Sequence, residues 1–501
     1  MISSSEILGI IVAFAPVLVW YRRSYKRLPY PPGPPRHMLI GNLRQVPKSH
    51  PWLTWTEWTK VFGPVICLRV FSRTIIILSS AQTVSDLLDN RSEIYSGRPS
   101  SVFYCEMIGR ELELFSISDT HPRFKPYRKL LTATLNSRTV VKYRELPQKE
   151  ALVLMRRIAV SPDEWLRHVR RDAAAIALLL AYGYPLQEEG EDPMMDVIEE
   201  AGNIASQAGQ TGRWMVDVIP ALRYVPDWVP GAEWKKVAKE WRHKMVQFSL
   251  VPFQRCKDEI AKGTYNPCFV SSCLLPEDGH EMDEEEENTV RWAADALFAG
   301  AADTTVAPIG TFVLAMLLNP SIQAHAQAEI DAAIGGCGER LPTLADKDDM
   351  PYVQAVIKEL YRWKPPAPIG LPHMALEDDI YKKYSIPKGS VVFANIWAIM
   401  RDETMYPDPE TFNPDRFLGD NAQPDSKKFA FGFGRRSCPG MHFAEASVFL
   451  NITYMLASFV IKPTSEGEYL KYAYTANLVS RPEPFKCQFV PRPGAAKWLS
   501  D

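Results

Sequence analysis

Near the C-terminal end, Phe431-Gly432-Phe433-Gly434-Arg435-Arg436-Ser437-Cys438-Pro439-Gly440 wraps one cysteine in glycines and arginines, then runs into an apolar, helix-like stretch from Met441 to Phe459. Gly434 permits a backbone turn that a Cβ would oppose, while Gly440 lets the chain pass close to something flat and bulky. The helix begins just after Cys438, so unpaired amides at its N-terminus are expected to favour a thiolate over a thiol. The segment therefore reads as a sulfur prepared to bind a metal beside a large planar ligand. A buried structural cysteine is the alternative, because free cysteines are among the most buried residue types.

The spacing Phe-x-x-Gly-x-Arg-x-Cys-x-Gly, carried by Phe431, Gly434, Arg436, Cys438 and Gly440, resembles the axial-ligand loop of the haem-thiolate monooxygenases, the cytochrome P450 family. The resemblance implies a cofactor, heme b, whose iron takes its axial thiolate from Cys438. It also implies that Arg436 pairs a haem propionate, that Phe431 packs beside the sulfur, and that Gly432 and Gly440 line the cofactor. Phe433 and Arg435 are assigned to loop packing and surface.

The chain has 501 residues, 46% hydrophobic and 23% charged, enough for a substantial core. No linker or repeat divides it after residue 36, so residues 36–501 are expected to form one catalytic domain. A net charge of -2 and the lack of a long basic stripe give no support for nucleic-acid binding. The 8 cysteines lie scattered, without a C-x-x-C pair, which fits a reducing compartment better than a zinc site or disulfide framework. Ile7 to Tyr21 is uncharged and apolar and leads into Arg22, Arg23, Lys26 and Arg27, so residues 1–27 are expected to form a membrane anchor with a basic flank. A cleaved signal peptide is the competing reading, and no small-residue cleavage site precedes the basic cluster. The positive-inside rule places the catalytic domain in the cytoplasm. Residues 28–35, rich in proline, cannot continue a helix and are read as a stiff hinge.

Val65 to Val70 and Thr74 to Leu78 read as a β-hairpin, and helices dominate beyond it, at about 148–182, 196–214, 233–262, 287–318, 321–334, 352–363 and 440–459. Shorter strands are expected near 391–394 and at the C-terminus. The fold class is mainly α with a small β subdomain, a single P450-like haem domain behind the anchor.

Within the 287–318 helix, Ala299-Gly300-Ala301-Ala302-Asp303-Thr304-Thr305 is followed by Pro308, whose missing amide should distort the helix at Thr304. The segment resembles the family's oxygen-activating motif, which implies that Asp303 and Thr304 relay protons for dioxygen cleavage. Ala301 stands where the family often has glycine. Glu359 and Arg362 share a helix face, and with Arg416 they resemble the family's buried Glu-Arg-Arg triad. Pro365 to His373 resembles the strand on the substrate side of the haem, with His373 offered to a propionate. Arg123 to Lys129 occupies the place of a Trp-Arg-x-x-Arg helix, which assigns Lys125 and Arg128 to the propionates and sets Phe124 in place of tryptophan.

Arg123, Lys125, Lys129, Lys427, Lys428 and Arg435 are candidates for a surface that receives an acidic electron donor. No dinucleotide-binding fingerprint or fused flavin domain is present, so the resemblance implies a separate NADPH-cytochrome P450 reductase at the endoplasmic reticulum membrane. By position, pocket walls are expected from Ser100–Ser118, Asp295–Ala302, Ala367–Leu371 and Tyr474–Leu478, with Phe103, Tyr104, Phe115, Phe298, Ile369 and Leu478 making them apolar. The expected reaction inserts one atom of O2 into a lipophilic secondary metabolite, with a sesquiterpenoid as the leading skeleton. Asn395 to Ala398 and Tyr406 to Pro409 resemble fungal secondary-metabolism members of the family. A haem-thiolate isomerase or dehydratase that uses no external electrons, and a non-enzymatic membrane haem- or sterol-binding protein, are the alternatives.

Overall fold

The structure, a computed structural model, describes residues 28–139, 143–187, 190, 192–210, 212–464 and 473–500. The anchor expected over residues 1–27 lies outside the described residues. The proline segment that follows is docked on the domain. The Cys67 amide donates to the Pro32 carbonyl at 2.8 Å, the Ser385 amide donates to Pro29 at 2.9 Å, and the Arg69 guanidinium sits 5.1 Å above the Tyr30 ring. Gly33 is required here, because a Cβ would come within 2.2 Å of the Cys67 carbonyl oxygen.

Helix α1 (Pro51–Phe62) leads into the predicted hairpin, β1 (Val65–Val70) and β2 (Arg73–Leu78), paired in register from Val65↔Leu78 to Val70↔Arg73. The helical body follows as α2 (Phe124–Leu135), α3 (Glu145–Val160), α4 (Trp165–Tyr182), α5 (Pro193–Ala208), α6 (Glu233–Lys262) and α7 (Phe269–Leu274). It continues with α8 (Glu284–Thr304), α9 (Val306–Leu318), α10 (Pro320–Ile334) and α11 (Pro351–Trp363). Short strands β3 (His373–Met374), β4 (Asp379–Tyr381), β5 (Tyr384–Ile386) and β6 (Val391–Ala394) precede α12 (Met441–Ser458), β7 (Phe459–Lys462) and β8 (Gln488–Pro491). The main sheet has 4 strands in the order β1-β2-β6-β3, with β2 and β6 parallel.

Two expected helices differ in extent. The stretch 148–182 is divided into α3 and α4 by a turn at Pro162–Glu164, since proline cannot donate within a continuing helix. The stretch 196–214 starts earlier, at Pro193, where the Asp192 side chain accepts from the Met194 amide, and it ends at Ala208. Phe459 leaves α12 for an extended conformation and pairs with Pro491.

The run from Glu284 to Leu318 is long and apolar enough to cross a membrane, but 72% of its most apolar window is buried in the protein. It is the central core helix. At its start the Asp283 side chain accepts from the Glu286 amide, and the acids Glu284 to Glu287 face the positive end of the dipole. Every residue from Val306 to Leu317 is buried, so α9 is held from all sides and fixes the position of the segment just before it.

Candidate active site

The cysteine loop is shaped by two left-handed glycines, Gly432 at φ 77° and Gly434 at φ 50°. A Cβ on Gly434 would lie 2.3 Å from the Leu88 carbonyl oxygen and 2.6 Å from Ser92 Cβ, so the predicted turn excludes other residues twice over. The Gly434 amide donates to Asp89 Oδ1 at 2.8 Å, and the Cys438 amide closes the loop on the Phe431 carbonyl at 2.7 Å. Gly440 caps α12 with an ordinary φ of -90°, and a Cβ there would stand 3.9 Å from Cys438 Sγ. Its role is space beside the sulfur. The Phe431 ring lies 5.2 Å from the Tyr361 ring.

Cys438 keeps one open face. Protein packed around its other sides nevertheless pushes the thiol pKa up, while the Gly440 amide and the Arg128 guanidinium pull it down. Burial therefore outweighs the helix end, and the expected preference for thiolate does not come from the protein alone. A coordinated thiol is deprotonated outright by its metal.

Arginines surround the loop. Arg128 on α2 donates to the Ser437 carbonyl at 2.7 Å. Arg436 donates to the carbonyls of Ser96 at 2.8 Å, Leu114 at 3.3 Å and Ile117 at 2.7 Å, and its guanidinium lies 4.4 Å from the centre of the Phe124 ring. Phe124 thus carries Arg436 by a cation–π contact where an indole would have offered a hydrogen bond. Lys125, expected to join this group, is exposed and makes no ion pair among the described residues.

The sequence reading missed Arg98. It is buried, donates to the Leu371 and Pro372 carbonyls at 3.2 and 2.5 Å, and leaves its Nε without a partner among the described residues. Its only local mark is its place between Gly97 and Pro99. His373 is buried beside it with Nδ1 donating to the Tyr95 carbonyl at 2.7 Å. Burial, then Arg98, pushes His373 down to about 3. Burial and Arg436 push Arg98 down to about 9, and burial, eased by Asp119, pushes Arg436 down to about 10. Asp119 is itself paired to Arg435 at 3.1 Å. Burial is the first cause of each shift and the neighbouring guanidiniums add to it at Arg98 and His373, so an anion set among these groups would oppose the shifts.

On the opposite side, the long helix breaks at Thr305, as Pro308 requires. Thr304 Oγ1 donates to the Gly300 carbonyl at 2.7 Å. Asp303 pairs with Arg481. Gly300 faces Phe115, whose Cζ would be 3.7 Å from an added Cβ. Below the cysteine loop, Glu359 receives Arg362 at 2.6 and 2.8 Å and Arg416 at 3.2 Å, all three buried, so the predicted triad is assembled.

The cytochrome P450 family model matches residues 31–489. The chain is 38% identical to cytochrome P450 monooxygenase 208 of Postia placenta, covering 98% of this chain and 96% of that protein. It is 38% identical to cytochrome P450 monooxygenase claR of Ampulloclitocybe clavipes, over 97% and 91%. It is 34% identical to tryptamine 4-monooxygenase of Psilocybe cyanescens, over 94% of each. This chain belongs to the cytochrome P450 family. It is a monooxygenase, and the P450 cofactor is haem with a cysteine thiolate on the iron.

The residues of this P450 fit that group. A sulfur with an open face, glycine space beside it, the buried Arg98 with its Nε unpartnered among the described residues, and His373 beside it match an iron porphyrin with two propionates. The expected pocket is narrower than the sequence reading made it. Phe103 is fully buried and stacked on Trp214 at 3.7 Å, and Phe298 is stacked on Phe248 at 4.6 Å, so both belong to the core. Asp295 is buried in an ion pair with Arg110. Tyr104 donates its hydroxyl to Glu113 at 2.7 Å. Phe115 lies at Gly300, Ile369 packs against the cluster of Trp55 and Phe393, and Leu478 is half-exposed.

Proposed function

We propose that this P450 oxidises a lipophilic secondary metabolite, a sesquiterpenoid skeleton being the first to test, with Cys438 as the axial ligand. The observation that carries this reading is the glycine-shaped Cys438 loop set beside the buried Arg98 and His373 and the half-buried Arg436 and Arg128. Bound haem supplies the redox chemistry, in which O2, two electrons and two protons yield one oxygen in the substrate and one water. Arg98, His373 and Arg436 hold the propionates, and Arg128 braces the loop through Ser437. Lys125 stays outside this set because it is exposed.

Thr304 Oγ1 and the Asp303 carboxylate move protons into the site. The interruption of the helix at Thr305 and the half-exposed Asp303 support that role. Phe115, Ile369 and Leu478 orient the substrate through apolar contact. Electrons come from an NADPH-dependent flavoprotein reductase at the endoplasmic reticulum membrane, to which residues 1–27 tether the domain. Of the basic residues expected to receive it, Arg123, Lys427 and Arg435 are paired to Glu285, Glu445 and Asp119, whereas Lys125, Lys129 and Lys428 are exposed.

The test is mass spectrometry of products from membranes that carry the chain and its reductase, supplied with NADPH, 18O2, terpenoids, aromatic polyketides and indole amines. One labelled oxygen in an NADPH-dependent product is the expected result. A product formed without label or NADPH overturns the proposal.

A further inference from the structure

Asp303 is held by a residue far along the chain. Arg481 Nη1 donates to Asp303 Oδ1, and the Arg481 side chain is 20% exposed against 46% for Asp303. Arg481 sits on a small hairpin closed by the bridge Tyr474↔Pro482, by the Thr475 amide on the Arg481 carbonyl at 2.9 Å, and by the Glu483 amide on Ala473 at 2.8 Å. The Arg481 amide in turn donates to Thr475 Oγ1 at 3.2 Å, so its backbone is fixed from both sides. The hairpin tip carries the half-exposed Leu478, and the Ser480 amide donates to the Pro366 carbonyl at 2.8 Å, just before the 367–371 segment. One rigid piece therefore joins two stretches of the expected substrate wall to the Asp303 carboxylate.

Among the described residues, one further cation acts on Asp303. Arg170 on α4 faces both Arg481 and Asp303, but it pairs with Glu199 at 3.6 Å. Arg481 is the cation in direct contact. Successive residues on a helix point about 100° apart, so Asp303 does not face Thr304 Oγ1, which is bonded to Gly300. Where the carboxylate stands relative to that hydroxyl depends on what anchors it.

We propose that Arg481 is a positioning residue for proton delivery, through which the place of the 473–483 hairpin sets the place of the Asp303 carboxylate. This rests on the reading that Asp303 moves protons. The chemistry makes the consequence measurable. Productive turnover uses O2, two electrons and two protons to give hydroxylated product and water, whereas mistimed protonation spends the same electrons and protons on hydrogen peroxide. Arg481 acts on that partition.

The test compares Arg481→Gln, Arg481→Lys, Asp303→Asn and the Gln/Asn double variant in the full-length holoenzyme with its reductase. Product and peroxide formed per NADPH are measured in H2O and D2O, and backbone deuterium exchange is followed over residues 473–483. R481Q is expected to lower the product-to-peroxide ratio roughly tenfold, within the range that misplacing a positioned group produces. It should also enlarge the solvent isotope effect and change substrate affinity by less than about twofold, since a uniform binding role would appear in affinity instead. R481K should recover most of the ratio. Exchange in the hairpin should rise equally in R481Q and D303N, and no further in the double variant. Wild-type partition in R481Q beside an impaired D303N overturns the role of Arg481, as does a double variant with the two defects multiplied. Wild-type partition in D303N overturns the proton-relay reading itself.

Discussion

Two buried ion networks flank the site, and they are built with opposite excess charge. In one, the single carboxylate of Glu359 meets two guanidiniums, Arg362 and Arg416. In the other, the single guanidinium of Arg110 meets two carboxylates, Glu113 at 2.9 Å and Asp295 at 2.5 Å. The surplus cation is spread over backbone carbonyls: Arg362 donates to Met400, Pro409 and Thr411, and Arg416 to Pro407, Asp408 and Thr411. Carbonyls are abundant acceptors, so a buried arginine can be satisfied by a loop wound round it. The surplus anion has the Tyr104 hydroxyl on Glu113 at 2.7 Å, and Asp295 responds by a raised pKa, from burial first, partly offset by Arg110. A network with spare arginine is made rigid by the backbone; one with spare carboxylate is adjusted by a proton.

The largest expected effect is that of Glu359→Ala, which strands both arginines in the interior. It should cost about 3–5 kcal/mol and lower haem content per chain, read by denaturant melts and cofactor stoichiometry. A smaller loss would mean that the carbonyl shell alone carries the arginines. Arg110→Met is expected to cost about 2–4 kcal/mol near neutral pH, less than a fixed buried charge would, because the stranded acids can protonate. Its deficit should shrink as the pH is lowered. A deficit that is flat with pH would break the distinction between the two networks.

A third acid sharpens it. Asp172 on α4 accepts from the Asn451 amide at 3.1 Å, and burial, with Glu150 next, pushes it from 3.8 up to about 8. A folded pKa above the unfolded one favours the native state fully below about 3.8, and this contribution is lost as the pH climbs to about 8. Asp172→Asn should therefore gain on the wild type progressively across that window, as melting temperatures at a series of pH values would show. The smallest effect is expected for Asp295→Asn. It leaves Arg110 paired with Glu113, so the loss should be smaller than that of Arg110→Met, and because burial raises the Asp295 pKa the balance should shift in the variant's favour as pH rises.

Sequence spacing made the first network visible and hid the second. Glu359 and Arg362 lie one turn apart on α11, and Arg416 follows in a recognisable stretch. Arg110 and Asp295 are 185 positions apart, with no local pattern to join them. The same limit applies to Arg98, whose importance lies in its neighbours in space. The hairpin, most helices, the glycine turn at Gly434 and the break before Pro308 were legible because each is a local backbone constraint. Position along the chain puts Phe103 and Phe298 in the pocket, but it carries no sign that Trp214 and Phe248 stack on them. The pKa of Cys438 was read from the helix end alone, and burial is invisible in a linear sequence.

The fastening of the cysteine loop also sets an order of assembly. Its anchors lie far upstream: Asp89 for Gly434, Ser96 for Arg436 and Arg128 for Ser437, separated from the loop by 345, 340 and 309 positions. A chain made from its N-terminus has these anchors long before Cys438 exists. Contacts of such span are slow to close, because the intervening loop entropy must be overcome before any of them forms. The loop can therefore be fastened to these early-made anchors only once nearly the whole polypeptide has left the ribosome.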